Sequence, residues 1–468
     1  MVENLLFLTG KLAEKSLDKV LTEIQQNAKT PPFKYRIQQI GVSVAALMTP
    51  DLILRRVKET GDADKVILPG LCQGDIAPLV EQFGVPVERG PEDLKDLPQY
   101  FGQAGKTTDL SQYRVQIFAE IVDAPFLTVD AIIEKAKRFQ AQGANVIDLG
   151  CIPAVPFPHL TETIQAIKQA GIQVSVDSLE TDDLLTAGKA GADFLLSLTE
   201  KTLWILNEVA STPVLIPAKQ HHMPSLYRAI EACLKMNRVF FADAILDPIH
   251  FGFTDSIVRY QCLRKKYPNI PVMMGVGNLT ELTDADTNGI NALLFGIISE
   301  LNIDAVLATS VSQHAVNAIK EADIARRMMF AAKSDERLPR GYSADLMALH
   351  EKRPFTYSVE EIHAFAAQIK DPSFRIQVSE AGMHIYNRDG IFQSTDPFAL
   401  YPHLKVDNDA SHAFYLGVEL ARAQIAWQLG KRYAQDQELD WGINQAQESS
   451  QKTAHREASI KEKAEKKK

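Results

Sequence analysis

Two hydrophobic rhythms alternate along most of the chain. Short apolar runs rich in Val, Ile, Leu and Phe are followed by stretches in which apolar residues recur every three or four positions. The first rhythm fits buried strands and the second amphipathic helices. Residues 1–105 carry ENLLFLTG with KLAEKSLDKVLTEIQQ, YRIQQIGVSV with TPDLILRRVKE, DKVILPG with DIAPLVEQFG, and then the short VPVERG. This alternation predicts a small parallel α/β domain. The polar, turn-rich GPEDLKDLPQYFGQAGKTTDLSQ reads as an exit and linker.

Residues 112–332 hold eight more runs: YRVQIFAEI, ANVIDLG, IQVSVD, DFLLSL, PVLIPAK, DAILDP, IPVMMGV and DAVLATS, each followed by a helical pattern. Eight βα units of this length predict a closed (β/α)₈ TIM barrel. The GxGxxG fingerprint of an open dinucleotide fold is absent. Residues 335–445 predict a small α+β module. Its parts are a hairpin in SFRIQVSEAGMHIYNRDGIFQS, with the turn signal Asn387-Arg388-Asp389-Gly390, and a long amphipathic helix, SHAFYLGVELARAQIAWQLGKRYAQ. In that helix Phe414, Leu420, Ile425 and Leu429 recur at near-helical spacing and predict core or interface packing. Residues 446–468, without aromatics and ending in three lysines, predict a disordered charged tail.

Composition narrows the partners. The formal net charge of −9 implies no broad cationic face and argues against a nucleic-acid partner. No apolar run is long enough to span a bilayer, and the first residues lack a secretory pattern. Cys72, Cys151, Cys233 and Cys262 show neither CxxC pairing nor zinc spacing, and read as reduced thiols of a cytoplasmic protein. The Gly-Lys pair of FLTGKLAEKS lacks the remaining phosphate-loop residues, so it reads as a strand–turn–helix entry.

Active-site groups of a barrel project from the C-terminal ends of its strands. The polar residues closing the eight runs are Glu120, Asp148, Asp177, Ser197, Lys219, Asp247, Asn278 and Ser310, with His314 nearby. Several carboxylates converging on one mouth must be solvated, paired or used. Ionised carboxylates accept parallel N–H bonds, which suits the amino-pyrimidinone edge of a flat, donor-rich heterocycle, and Asn278 can both donate and accept beside it. No HExxH or related pattern marks a transition-metal site.

IDLGCIP, VSVDS, ILDPIHFGFTDS and VMMGVGNLTEL, in this order and spacing, resemble the strand-end motifs of the pterin-binding family. That family contains dihydropteroate synthase and the methyltetrahydrofolate corrinoid/iron–sulfur protein methyltransferases. The resemblance implies that Asp177 and Asp247 hold the pterin, with Asp148 the acidic residue after the second strand. Ser197 lies near a family asparagine, and Asn278 sits where methyltransferases carry an asparagine. The whole chain is similar to dihydropteroate-synthase-related proteins of archaea and some bacteria, and its C-terminal helix resembles a DUF4346-like module. Dimers are common in the family, which implies a homodimer.

Departures from the synthase pattern are specific. Glu120 replaces the asparagine that holds metal and pyrophosphate, and could itself hold Mg²⁺. The arginine loop of the synthases is replaced by GCIPAVPF, their pterin lysine by Asn278-Leu279-Thr280, and their anion-binding arginine run by ATSVSQHAV. Lys219, His221 and His222 could supply cationic groups instead. Three readings follow. The first is condensation of an activated 6-hydroxymethyl-dihydropterin with an arylamine, as in folate biosynthesis and one-carbon metabolism, with Asp177, Asp247 and Asn278 at the reacting centre. The second is methyl transfer from a reduced methylpterin to a corrinoid or thiol. The third is a non-catalytic pterin-binding or assembly protein. A cationic subsite beside the pterin pocket would favour the first reading over the second.

Overall fold

In the computed structural model, residues 2–26, 33–102 and 109–444 are described. The expected charged tail 446–468 lies outside them. The described residues fall into two compact units. One is built from the first 114 residues with Arg327–Tyr342, and the other from Val115–Arg326 with the described residues from Ser343 onward.

In the first unit, strands β1 (Glu3–Thr9), β2 (Phe33–Gln39), β3 (Lys65–Leu68) and β4 (Val87–Arg89) form a parallel sheet in the order β2-β1-β3-β4. The central strand β1 is apolar without alternation because both of its faces are covered. Leu6 and Leu8 join Val66 and Leu68 in one core, while Leu5 and Phe7 join Phe33 and Ile67 in another.

The second unit holds the eight middle runs as β5 (Gln116–Ile121), β6 (Val146–Gly150), β7 (Gln173–Asp177), β8 (Phe194–Leu198), β9 (Thr212–Leu215), β10 (Phe241–Asp243), β11 (Val272–Gly275) and β12 (Ala305–Ala308). All neighbours are parallel, and β12 pairs with β5, so the sheet closes on itself as a (β/α)₈ barrel. Helices follow most strands. After β8, however, the expected helical pattern is only the 3₁₀ segment Leu203–Asn207. Arg326, on the helix Ala318–Ser334, is buried and fastens the barrel floor, donating to Val115 O, Asn145 Oδ1 and Gly143 O at 2.6 to 2.8 Å.

Inside the barrel, Phe118, Phe194 and Phe241 meet edge to face, with ring centroids 4.9, 6.2 and 6.3 Å apart. Val146, Val214, Met273 and Ala305 complete this layer. Strand side chains alternate with period two, so the inner residues one step further are Glu120, Asp148 and Asp243. An apolar floor therefore lies directly beneath a carboxyl layer.

The same unit carries an antiparallel sheet of β13 (Arg375–Ser379), β14 (Gly382–Asn387) and β15 (Gly390–Ser394). The segment expected to form one hairpin makes two. Asn387 pairs with Gly390 across Arg388-Asp389, and Ser379 pairs with Gly382 across Glu380-Ala381. The helix Ala410–Leu429 covers one face through Leu416, Leu420 and Ala423. It stops sooner than its pattern predicts because Gly430 adopts a left-handed conformation, φ 60°, that ends the hydrogen-bond ladder. Leu420 is buried, but Phe414 and Ile425 are exposed, so those two positions lie outside the core.

Candidate functional site

The carboxyl layer begins with three registered strands. Glu120 pairs with Asp148, Asp148 with Ser175, and Gly150 with Asp177. Asp148 is fully buried. Its Oδ1 accepts a 2.5 Å hydrogen bond from Ser175 Oγ, and its Oδ2 has no partner among the described residues. Burial, then the charges of Asp177 and Glu120, push its carboxyl well above the usual range, against the Ser175 hydrogen bond. Glu120 is pushed up to about 7 by burial first, then by Asp177 and Glu281. Asp177 is raised by burial, opposed by a 2.5 Å hydrogen bond from Ser197 Oγ to its Oδ1. Gly150 leaves room for this cluster, since a Cβ there would stand 2.9 Å from Glu120 Oε1.

Ser197 sits at a break in the β8–β9 register with φ 64°, which turns its hydroxyl toward Asp177. A non-glycine residue held in this region stores backbone strain.

The opposite side of the mouth is built differently. The run DAILDP, expected as the sixth strand, is not strand: β10 is Phe241–Asp243, and Asp247 lies four residues beyond it. The chain leaves the sheet at once because Asp243 Oδ1 accepts the Ile245 N–H at 2.6 Å and Ile245 has φ 63°. Asp243 also accepts Tyr260 OH at 2.5 Å. Burial nevertheless pushes its carboxyl up to about 6, with Asp177 adding to the rise. Asp247 is almost fully buried and fully partnered in charge. The guanidinium of Arg259 donates to its Oδ2, His221 Nε2 stands 3.0 Å from the same oxygen, and Gln220 Nε2 lies 3.4 Å from Oδ1. Gly252, at φ 123°, lets the loop close over this carboxylate, 3.1 Å from where a Cβ would be.

Asn278 lies in the short helix Gly277–Thr280 rather than at a strand end, and donates from Nδ2 to Leu246 O at 2.6 Å. That bond ties it to the carbonyl of the residue preceding Asp247. Lys219 is exposed on the loop that carries His221. Ser310 closes its own loop, its Oγ donating to Val316 O, and His314 ties that loop to another, its Nε2 3.1 Å from Thr280 O. Glu281 makes the stronger tie between the same two loops. Burial works against its charge, but the N–H groups of Val311 and Ser312, at 2.8 and 2.9 Å, outweigh it and hold the carboxyl low.

Of the residues expected from sequence, Glu120, Asp148, Asp177 and Ser197 interact directly, while Asn278 is tied to Leu246, next to Asp247. Asp243, Arg259 and Glu281 were not among those expected. Asp243 had a signal, the apolar FFA before it, but Arg259 sits in the helix Phe253–Lys266 and meets Asp247 only through the fold.

Among the described residues no group of three or more His, Cys, Asp or Glu has the arrangement of a metal site. All four cysteines are free, and burial followed by nearby carboxylates pushes Cys151 up to about 12, which makes it a poor nucleophile. No described helix is long and apolar enough to cross a membrane.

Around the mouth, six of the βα loops expose large apolar side chains: Phe126, Leu179, Trp204, Phe251, Leu282 and Val311.

Comparisons with known proteins place this chain as follows. Residues 3–92 match the model of a family of unknown function (DUF6513). An uncharacterized protein of Methanocaldococcus jannaschii, MJ0107, is 26% identical, covering 94% of this chain and 99% of that protein. Among solved structures, Yersinia pestis dihydropteroate synthase with a pterin–sulfa conjugate is similar over 48% of this chain and 96% of that one, at 16% identity and TM-score 0.37. Dihydropteroate synthase of Anaplasma phagocytophilum with bound 6-hydroxymethylpterin-monophosphate is similar over 46% of this chain and 98% of that one, at 17% identity and TM-score 0.36.

Proposed function

We propose that the barrel binds a pterin and condenses its activated 6-hydroxymethyl form with an arylamine. The observation that carries this reading is a set of desolvated carboxyls above an aromatic floor at the mouth of a closed barrel. Because burial holds some of them protonated near neutral pH, the set offers both donors and acceptors. Glu120, pushed up to about 7, can donate or accept, and Asp177 can accept through the oxygen that Ser197 leaves open. This mixture matches a pterin edge, which carries an amino group, a ring N–H, a carbonyl and ring nitrogens.

In the reaction, the C–O bond to diphosphate breaks and its electron pair leaves with the diphosphate. The amine lone pair forms the new C–N bond, and the amine sheds a proton. Acceleration comes from positioning and from charge placement more than from a strong base. Arg259 and Lys219 supply positive charge on the Asp247 side, where a departing anion would be stabilised.

Methyl transfer from a methylpterin is the second reading. The exposed apolar side chains on six mouth loops favour it, because such patches mark docking surfaces and a corrinoid or thiol acceptor is delivered by a partner.

Calorimetric titration with 6-hydroxymethylpterin tests the pterin site. The native chain is expected to bind, and Asp177→Ala to bind about 10- to 100-fold more weakly, the worth of a hydrogen bond to a charged group. No binding by the native chain overturns both readings. Binding that Asp177→Ala leaves intact overturns the site assignment. Product formation from the diphosphate ester and an arylamine separates the first reading from the second.

A further inference from the structure

A second cavity, remote in sequence from the barrel mouth, opens in the C-terminal part of the chain. It measures about 300 Å³ and lies where β13 meets residues 354–357 and 432–435, with Tyr386 of β14 beneath. Cavities of this size hold small organic ligands.

Its walls are chemically one-sided. Tyr357, Tyr386 and Tyr433 line it together with Arg375 and Arg432, and no Asp or Glu is among the lining residues. Two of the phenols are anchored by their hydroxyls. Tyr386 OH donates to Gln377 Oε1 at 2.9 Å, and Tyr433 OH donates to Glu419 Oε2 at 2.7 Å. Their rings are thus fixed, and the Gln377 amide nitrogen keeps its donors. Arg375 is clamped by both oxygens of Asp371, so its place is set and its charge largely answered. Arg432 differs. Its backbone N–H is bonded to Glu351, but its guanidinium makes no hydrogen bond or ion pair with the described residues.

The wall itself is rigid. β13 is an edge strand of its sheet. Gln435 closes that edge as a neighbouring strand would, accepting from Ile376 N at 2.9 Å through Oε1 and donating from Nε2 to Phe374 O at 3.3 Å. The edge is therefore occupied there, and an added peptide strand finds no open ladder at those two groups.

We propose that this cavity binds a small aromatic anion, its ring against the fixed tyrosines and its anionic group on the Arg432 guanidinium. Aromatic faces favour planar rings in offset or edge contact, and a guanidinium offers paired donors to carboxylate or phosphate. The site is separate from the barrel reading and stands or falls without it.

The test is calorimetry on the full chain with phenyl phosphate and benzoate as probes, and phenol and inorganic phosphate as half-probes. At least one aromatic anion is expected to bind saturably at one site. Arg432→Gln and Tyr357→Ala, both at exposed positions, are each expected to weaken it about tenfold, equivalent to ~1.4 kcal/mol, with unchanged melting temperature. Asp177→Ala is expected to bind the probe as the native chain does. The proposal is overturned if neither aromatic anion binds, if phenol or inorganic phosphate alone binds as tightly, if both cavity substitutions leave binding unchanged, or if Asp177→Ala abolishes it.

Discussion

The two arcs of the barrel mouth bury carboxyl groups in opposite ways. On the β5–β8 arc, Glu120, Asp148 and Asp177 lie close together with no cationic partner among the described residues, and burial pushes all three carboxyls up. On the β10 side, Asp247 is more deeply buried than Asp177, yet it stands against Arg259 and His221. The difference teaches that burial alone does not decide a carboxyl's role. Without a counter-charge the group becomes a proton carrier able to switch between donor and acceptor. With one, it becomes part of a fixed ion pair whose remaining capacity for a ligand is small. Of the two aspartates matched to the pterin motif, Asp177 is therefore the better candidate for direct contact, and Asp247 orders its loop and the cations around it.

The most severe way to break this contrast is to remove the counter-charge. Arg259→Met leaves the Asp247 carboxylate buried without its main partner, and is expected to cost about 3–5 kcal/mol in urea unfolding. The double change Arg259→Met with Asp247→Asn is expected to recover most of that loss, because no buried charge remains. A single-substitution cost under ~1 kcal/mol would mean the pair behaves as an exposed one, and the two arcs would not differ in kind.

A smaller effect sharpens the proton-holding arc. Glu120 is raised from 4.5 to about 7. At ~1.4 kcal/mol per pH unit this corresponds to roughly 3 kcal/mol. The sign follows from a folded value above the unfolded one. The stabilising contribution is complete below pH 4.5 and is lost as pH climbs through 7. Native protein is expected to lose stability over that window, and Glu120→Gln to lose less. Equal slopes for both chains would place the proton elsewhere in the cluster.

The contrast was only half legible in the sequence. The strand rhythm predicts the barrel, and period-two alternation in IDLG and VSVD puts Asp148 and Asp177 on the inner face, because strand geometry is local. The paired arc depends on contacts that no local pattern encodes. Arg259 reaches Asp247 from the following helix, across a loop with positive φ at Ile245, His250 and Gly252. Apolar character misled at DAILDP, where a hydrophobic stretch serves a tight turn and the true strand ends at Asp243. The same limit explains Glu281, whose partners Val311 and Ser312 belong to a different loop.

The finest test lies at Ser197, where the hydroxyl on Asp177 and the strained backbone are separable. Ser197→Ala removes the hydrogen bond and keeps φ near 64°. Ser197→Gly removes the same bond and frees the backbone. Both are expected to weaken pterin binding equally, since each leaves Asp177 without the hydroxyl that favours its ionised form. Stability should divide them: the glycine chain is expected to be more stable than the alanine chain by about 1 kcal/mol, the usual cost of a non-glycine residue in this region. Equal stabilities would show that the conformation carries no strain. Unequal pterin affinities would show that the backbone at this register break, and not only its hydroxyl, orients Asp177. In that case the proton-holding arc would owe its behaviour to the shape of β8 as much as to the lack of a counter-charge.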